Sequence, residues 1–406
     1  MRKIFGAALT ACALTALGAA VPSAASAGPA TTAQYIVVLA DGATASAVPA
    51  HARAHGLTPT FVYTHAVHGY AARMTAAAAK RLAADPQVAW VQPDREVKAD
   101  VQTLPTGIDR VDAELSPTAN INGVDDRVNV DVAVIDTGID LTHPDLNVFT
   151  AGAKNCSTGG SANDGNGHGT HVSGTIGALD NTIGVVGVAP GARVWPVRVL
   201  NKQGSGTTAT VVCGIDYVTA HASEIEVANM SLGGVGSDDG NCGFTNGDIE
   251  HQAICASVAA GITYAVAAGN DAGNAAGHVP AAYDEVITVS ALADFNGQPG
   301  GGAPATCRPD VDDTFADFSN FGADVDLIAP GVCILSTWKG GTYNTISGTS
   351  MATPHVTGAA ALYKATHPTA TPAQVKAALH AAGTSNWFTN TDPDSTHEPL
   401  LNVATF

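Results

Sequence analysis

Short apolar runs alternate with longer helical patterns over most of this chain, from about residue 101 to residue 406. The apolar runs have the length and composition of strands that are buried on both faces. They are 131–136, 192–200, 226–232, 262–270, 286–291 and 325–331, and the helical patterns between them are 170–179, 209–222, 247–260 and 351–366. This alternation predicts an α/β domain with a mostly parallel sheet and helices on both faces.

Four polar residues stand at the ends of these predicted elements. Asp136 ends one strand and Asn270 ends another, while His168 and Ser350 each stand at the start of a helix. Ligands of open α/β sheets bind at the carboxyl ends of the strands, where helices begin. We therefore expect these four side chains to lie close together.

Three glycine-rich segments contain the chemistry that these residues offer. VAVIDTGID holds Asp136, NGHGTHVSGT holds His168, and SGTSMATPHVTG holds Ser350. Serine is a poor nucleophile at pH 7 unless an adjacent base takes its proton and a third group orients that base. The order Asp, His, Ser along the chain is the subtilisin order, and residues 101–406 resemble the subtilisin-like serine proteases.

The resemblance implies a secreted serine endopeptidase that works through an acyl-enzyme. Ser350 is then the nucleophile, His168 the base, Asp136 the residue that orients the base, and Asn270 a donor to the oxyanion. It also implies a primary pocket that accepts apolar or neutral side chains, because the two segments that line it are small and neutral. Those segments are Ser231, Leu232, Gly233 and Ala267, Ala268, Gly269.

Each of these residue types has another interpretation when taken alone. Ser350 is also a plain helix N-cap, and Asn270 also caps a turn. His168 and His171 are spaced like metal ligands on one helix, although no HExxH motif is present. The DTG at Asp136 is also found in aspartic proteases, which need a second such carboxylate, and Asp140 is a competing carboxylate nearby.

The first hundred residues predict two segments that precede the peptidase domain. Residues 1–27 have a charged start, an apolar run and an Ala-Ser-Ala end, which predicts a signal peptide and secretion. Cys12 leaves open a lipoprotein attachment site and a membrane-tethered protein. Residues 28–100 contain a small α+β pattern that resembles an inhibitory propeptide, so we expect maturation near Asp100–Val101 and the propeptide as an intramolecular inhibitor.

Charge and resemblance together point to calcium. Residues 101–406 hold 10 of the 18 basic residues and 31 of the 36 acidic ones, a net charge of −21 that argues against nucleic acid or an anionic membrane as a partner. Such a surface suits hard cations, which prefer oxygen ligands. By resemblance, a structural Ca²⁺ is bound by Gln102, Asp145, Leu179, Asn181, Ile183 and Val185.

Six cysteines remain after Cys12, and an even number in an exported chain favours disulfides. Of the 15 possible connectivities, we favour pairing between neighbours, 156–213, 242–255 and 307–333, because each pair brackets one loop. The segment 294–317 is rich in Gly, Pro and Asp and departs from the family pattern. Its carboxylates leave open a second cation site or a solvated acidic loop.

Three other functions compete with a soluble endopeptidase. A catalytically silent relative that serves as a binding module would lack a triad residue or the oxyanion asparagine, and all four are present. A tethered lipoprotein protease would carry a lipid on Cys12. An esterase on the same fold would differ in its substrate scope. We expect a monomer that cleaves proteins or peptides.

Overall fold

The computed structural model describes residues 31–40, 42–95, 101–394 and 396–406. The chain divides into two compact units, Met1–Ala99 and Asp100–Phe406, which are considered separately. The predicted signal peptide, Cys12 and Asp100 of the predicted maturation site lie outside the described residues. Within the described ranges, no helix combines the length and hydrophobicity that a bilayer crossing requires.

The N-terminal unit is a four-stranded antiparallel sheet with the strand order β2-β3-β1-β4. Val37 and Tyr70, on adjacent strands, are fully buried under its two helices, and the Thr75 side chain caps the second helix by accepting from the backbone N–H of Ala78 at 3.2 Å. The elements are β1 (Thr32–Leu39), α1 (Ala47–Ala54), β2 (Pro59–Tyr63), β3 (Gly69–Thr75), α2 (Ala76–Leu82) and β4 (Val88–Pro93). The α+β pattern is as expected, but the sequence pattern had not identified α1, β2 or β3.

The C-terminal unit contains the predicted alternation. Its helices are α3 (Thr106–Arg110), α4 (His168–Gly177), α5 (Thr208–Ala220), α6 (Ile249–Ala259), α7 (Thr349–Thr366) and α8 (Pro372–Ala382), with 3-10 turns at Ala113–Leu115, Thr150–Gly152, Ala275–Gly277 and Thr389–Thr391. Its strands are β5 (Asp131–Asp136), β6 (Lys154–Asn155), β7 (Arg193–Arg198), β8 (Val227–Met230), β9 (Gly234–Val235), β10 (Thr263–Ala267), β11 (His278–Val279), β12 (Ile287–Ala293), β13 (Thr314–Phe315), β14 (Leu327–Pro330), β15 (Ile334–Trp338) and β16 (Thr342–Ile346).

The central sheet has the order β13-β12-β10-β8-β5-β7-β6, and β14 pairs with β12. All pairings are parallel except that of β12 with β13. Strand β5 lies between β7 and β8, and alternate side chains along it enter two different cores. Val132 and Val134 pack with α4 and α7, whereas Ala133 and Ile135 pack with α5 and α6. The predicted α/β class with helices on both faces is confirmed.

Three disulfides join the six predicted cysteines in the neighbour pattern. They are Cys156–Cys213, Cys242–Cys255 and Cys307–Cys333. Each bond joins a loop to a helix or to another loop, so the cross-links stabilise the periphery of the sheet rather than its core.

Candidate active site

Asp136 lies at the carboxyl end of β5 and is fully buried. Its Oδ1 accepts from the backbone N–H of Thr137 at 2.6 Å and from Nδ1 of His168 at 2.8 Å, while its Oδ2 lies 3.0 Å from the same nitrogen. A carboxylate can only accept, so Nδ1 of His168 carries the proton. The lone pair of the neutral imidazole is therefore on Nε2, the nitrogen that points away from Asp136.

A buried carboxylate that the sequence analysis missed fixes the start of α4. Asp164 accepts from the backbone N–H groups of Asn166 and Gly167 at 2.8 Å and of Thr170 at 3.0 Å, and also from the hydroxyl of Thr137 at 2.9 Å. Asp164 thus accepts hydrogen bonds from backbone N–H groups that have no partner within the helix at its N-terminus. No direct signal for this role is present in the sequence, because Asp is favoured at the N-cap and the N-cap of α4 is Gly167.

Gly167 brings the chain close to an aromatic ring before His168. Its φ is +119°, and a Cβ at this position would lie 2.4 Å from the indole of Trp338. Only glycine accepts both constraints. His168 therefore begins α4 with its imidazole directed toward Asp136.

Two opposing effects act on the pKa of His168. Burial lowers the pKa of the imidazole, but the charge of Asp136, its hydrogen bond to Nδ1 and the charge of Asp164 together raise the pKa above its usual value. The imidazolium form is thus favoured by the carboxylates around it. This is the environment of a base that must hold a proton transiently.

Ser350 lies in the first turn of α7 and is bonded to the segment that follows β8. Its Oγ donates to the carbonyl of Ser231 at 3.3 Å, and Oγ of Ser231 donates to the carbonyl of Ser350 at 2.9 Å. Pro354, four residues later, has no N–H for that carbonyl, so the helix leaves it free for Ser231. Pro354 thus lets Ser231, in the segment after β8, form a hydrogen bond to Ser350.

Asn270 is exposed and faces the start of α7. Its Oδ1 accepts from the backbone N–H of Thr349 at 2.8 Å and from the hydroxyl of Thr349 at 3.1 Å. Among the described residues, no group accepts from its Nδ2. The amide oxygen is anchored, so the amide nitrogen is presented to solvent beside the N-terminus of the helix that carries Ser350.

A cavity of about 730 Å³ lies beside His168 and the segment that binds Ser350. His168 and the run 231–235 line it, together with apolar side chains that include Leu200, Val211 and Val279. The predicted pocket residues Ser231, Leu232 and Gly233 are on this wall. Ala267 and Ala268, in contrast, are buried at the end of β10, and the backbone N–H of Gly269 donates to Oγ1 of Thr349.

Glu250 is the second residue that the sequence analysis missed. It lies in the first turn of α6, lines the cavity and is 8 % exposed. Burial, and secondarily the charge of Asp248, raise the pKa of its carboxyl group to about 7. Besides His168, the cavity therefore carries a carboxyl group that ionises near neutral pH.

The competing residues are occupied elsewhere. Nε2 of His171 donates to the carbonyl of Ile334 at 2.9 Å, and burial lowers the pKa of this imidazole to about 3. Oδ2 of Asp140 accepts from the backbone N–H groups of Gly340 and Gly341. His171 is therefore a structural residue and not half of a metal pair, and Asp140 is not the partner of His168.

The six residues of the predicted calcium site converge on one loop. Nε2 of Gln102 lies 2.5 Å from the carbonyl oxygen of Leu179 and 3.2 Å from that of Val185. Nδ2 of Asn181 donates to the fully buried Asp145 at 2.7 Å, and Ile183 donates its N–H to Oδ1 of Asn181. Burial raises the pKa of Asp145, although the backbone N–H of Val185 and the side chains of Asn181 and Tyr343 donate to its carboxylate.

The carboxylates of the segment 294–317 are held in two different ways. Asp310 and Asp317 pair with Arg308. Asp312 and Asp313 are buried; both accept backbone N–H groups of the segment, and Asp313 also pairs with the buried Arg110. The interpretation as a solvated acidic loop holds for Asp317, whose side chain is 69 % exposed, but not for Asp312 and Asp313, which bind backbone N–H groups and Arg110. In the described part of the chain, the four carboxylates do not gather into a metal-ligand cluster.

Comparison with known proteins gives two family matches. Residues 128–397 match the model described as the subtilase family, and residues 34–100 match the peptidase inhibitor I9 model. Subtilisin NAT from Bacillus subtilis subsp. natto is 40% identical over 321 residues, which cover 78% of this chain and 76% of that protein. The extracellular serine proteinase of Thermus sp. (strain Rt41A) is 41% identical over 342 residues, covering 81% and 74%.

One solved structure extends the comparison to the fold. A cold adapted subtilisin-like serine proteinase superposes with a TM-score of 0.58 at 33% identity, and the match covers 74% of this chain and 98% of that one.

Proposed function

The chain belongs to the subtilase family and is a serine endopeptidase with an I9 propeptide, and from this we propose that Asp136, His168 and Ser350 form its catalytic triad. The observation that carries the proposal is the hydrogen bond between Asp136 and Nδ1 of His168 at the edge of the 730 Å³ cavity. Ser231, on the wall of the same cavity, and Ser350 each donate a side-chain hydrogen bond to the backbone carbonyl of the other.

The reaction proceeds through an acyl-enzyme. The hydroxyl of Ser350 turns from the carbonyl of Ser231 to Nε2 of His168, which takes its proton as Oγ attacks the scissile carbonyl carbon. The C–O bond forms as the carbonyl π electrons move to oxygen. Nδ2 of Asn270 and the backbone N–H of Ser350 donate to this oxyanion. The imidazolium, stabilised by Asp136, then protonates the leaving amine as the C–N bond breaks, and water reverses the sequence to release the acid.

The primary pocket accepts apolar or neutral side chains. We assign one wall to Ser231, Leu232 and Gly233, which line the cavity. We assign the other to Ala267, Ala268 and Gly269, which contribute backbone because the two alanine side chains are buried. All six residues are uncharged. Glu250 lies on the wall of the adjoining cavity and adds a preference that depends on its ionisation. The substrates are therefore proteins or peptides, cleaved with broad specificity.

A structural Ca²⁺ fits the loop that Gln102 and Asp145 share. Gln102, Asp145 and Asn181 offer side-chain oxygens, and Leu179, Ile183 and Val185 offer backbone carbonyl oxygens. The carbonyls of Leu179 and Val185 already face Gln102, and a half-turn of the Gln102 amide would place its oxygen toward them. When bound, the ion supplies the positive charge that buried Asp145 lacks. Gln102, Asp145, Leu179, Asn181, Ile183 and Val185 then hold the N-terminal segment of the peptidase unit against this loop.

The chain is made as a secreted precursor with three parts. Residues 1–27 act as the signal peptide, residues 28–100 as a propeptide that inhibits and is cut off by the enzyme itself, and residues 101–406 as a monomeric peptidase. The I9 match and the extracellular Thermus relative support this order.

Labelling with a sulfonyl fluoride tests the assignment of Ser350. The reagent should stop hydrolysis of casein and of peptide substrates, and peptide mass analysis should place one adduct on Ser350. Asp136→Asn should be labelled far more slowly, since the base is no longer held in the reactive tautomer, while Asp140→Asn is the matched control. Labelling of another serine, or an equal rate in Asp136→Asn, would contradict the triad.

A further inference from the structure

A second group of polar residues lies behind the wall of the substrate cavity. The loop 238–248 connects β9 to α6, and the disulfide Cys242–Cys255 fastens it to that helix. Asp239 orders the loop by accepting from four backbone N–H groups, those of Asn241, Gly243, Thr245 and Asn246. The carboxylates of Asp238 and Asp239 are thereby held next to α6.

His251 of α6 faces these carboxylates from a fully buried position. Its ring stacks on Tyr283 with centroids 3.9 Å apart and planes 4° apart, and its Nε2 lies 2.8 Å from Oε2 of Glu285. Since a carboxylate accepts, Nε2 carries the proton. Its Nδ1 has no hydrogen-bond partner in the described part of the chain and lies 3.7 Å from Oδ1 of Asp238 and 3.9 Å from Oδ1 of Asp239.

A neutral imidazole in this position would point a lone pair at two anionic oxygens. That arrangement is repulsive unless positive charge lies between Nδ1 and the two carboxylate oxygens. A second proton on the imidazole or a metal ion can supply that charge. Ligand atoms of a tetrahedral zinc ion lie about 3.4 Å apart, given bonds of about 2.1 Å. The observed separations exceed this by only a few tenths of an ångström.

We propose that His251, Asp238 and Asp239 form a binding site for a zinc ion. Imidazole nitrogen with two carboxylate oxygens is a donor set that favours zinc over calcium. Glu285 acts as the carboxylate that orients a metal-bound histidine through its other ring nitrogen. The site is separate from the calcium loop and from Ser350.

An acidic cavity gives the ion a path to this site. Asp238 also lines a pocket of about 410 Å³, together with Asp284 and Asp324. The charges of Asp284 and Asp238 add to burial in raising the pKa of Asp324, which means that the pocket is electronegative. It therefore attracts cations from solvent and has room for the water that completes the coordination of zinc.

The position of the site gives zinc a structural role. Strand β9 directly precedes the loop and pairs with β11, and Val235 and Val279 of these two strands line the substrate cavity. The ion would join the loop to α6 and so support the cavity wall from behind. We expect zinc to raise the melting temperature with little effect on kcat.

Zinc titration of the Ser350→Ala full chain, with its disulfides intact and calcium in excess, tests the proposal. All proteins also carry His55→Gln, because His51, His55 and Asp85 of the N-terminal unit form another cluster that can hold a metal. Isothermal titration and elemental analysis should give one zinc per chain. Cobalt should bind at the same stoichiometry with the visible bands of a tetrahedral site.

Three variants separate a metal site from a general effect of charge. His251→Gln retains a donor toward Glu285 but removes Nδ1, and Asp238→Asn removes a carboxylate at a partly exposed position without altering the buried ring. Each should weaken zinc binding about 100-fold or more, since changes even in residues behind the ligands cost 10–100-fold. Asp284→Asn removes the same charge from the pocket without facing His251 and should keep affinity within about threefold.

Three results would overturn the proposal. No bound zinc in the parent would mean that Nδ1 holds only a proton. Equal binding by the parent, His251→Gln and Asp238→Asn would place the metal elsewhere. Binding that appears only after reduction would assign the metal to Cys242 and Cys255, which lie within 4.8 Å of His251 and Glu285 ligand atoms.

Discussion

Replacement of Glu250 by Gln should change how the stability of this protein depends on pH. The folded state raises the pKa of Glu250 from 4.5 to about 7, chiefly by burial. The folded protein therefore binds this proton more tightly than the unfolded chain does between these two values. Stability supplied by the protonated form is complete below pH 4.5 and is lost as the pH rises through 7.

The size of the effect follows from the shift in pKa. At about 1.4 kcal/mol per unit, the full loss is about 3 kcal/mol, of which about 2.5 kcal/mol develops between pH 5 and pH 9. A glutamine side chain has the shape of the protonated carboxyl group and does not ionise. The difference in the free energy of unfolding between Glu250→Gln and the parent should therefore shift in favour of the variant by about 2.5 kcal/mol from pH 5 to pH 9.

Thermal unfolding of the Ser350→Ala full chain with and without Glu250→Gln is the assay, since the inactive background prevents self-digestion. A change of 1 kcal/mol shifts the melting temperature of a domain of this size by about 2 °C. The melting temperature of the variant relative to the parent should therefore rise by about 5 °C from pH 5 to pH 9. Peptides with Lys or Met at the position that enters the cavity give a second readout on active enzyme: the preference for Lys should increase through pH 7 only in the parent. An identical pH dependence in both proteins would refute the argument.

Three other substitutions test the active site and the calcium loop. Asp136→Asn should lower kcat by about 10⁴-fold, since its amide would favour the wrong tautomer of His168; a loss below tenfold in steady-state peptide hydrolysis would contradict the assignment. Asn270→Ala should lower kcat by about 10²–10³-fold with little change in KM, and a raised KM with unchanged kcat would indicate a substrate-binding role instead. A calcium chelator should lower the melting temperature of the parent, whereas Asp145→Asn should melt lower and respond little to chelator; unchanged chelator sensitivity would exclude this site.

The sequence predicts the C-terminal unit well because its pattern is local and strong. The runs at 131–136, 262–270 and 286–291 are apolar on both faces, and a strand with that pattern has few places other than the centre of a covered sheet. The positions of Asp136, His168 and Asn270 were predicted because each ends a strand or begins a helix of this pattern, whereas their roles rest on the resemblance to the subtilisin-like proteases. The weaker pattern of the N-terminal unit, where one sheet face is exposed, concealed α1 and the β2–β3 hairpin.

Residues that act through long-range contacts were not predictable in this way. Glu250 has a normal surface sequence context, and its burial depends on a cavity wall formed by β9 and β11. Asp312 and Asp313 were interpreted as cation ligands or solvated groups, but Arg110 lies about 200 positions earlier in the chain and only the fold brings it to Asp313. The binding partner of a carboxylate cannot be predicted from sequence alone, because backbone N–H groups, arginine side chains and metal ions can all bind it.

Intact mass and N-terminal sequencing of the purified wild type beside Ser350→Ala, both expressed from the full-length gene, show whether Ser350 cleaves its own chain. We expect the wild type to lose about the first hundred residues, whereas Ser350→Ala keeps the segment 28–100. That result would establish Ser350 as the nucleophile that processes its own chain. Retention of the segment by both proteins, with no cleavage of casein by the wild type, would contradict the account of an active, self-processing protease.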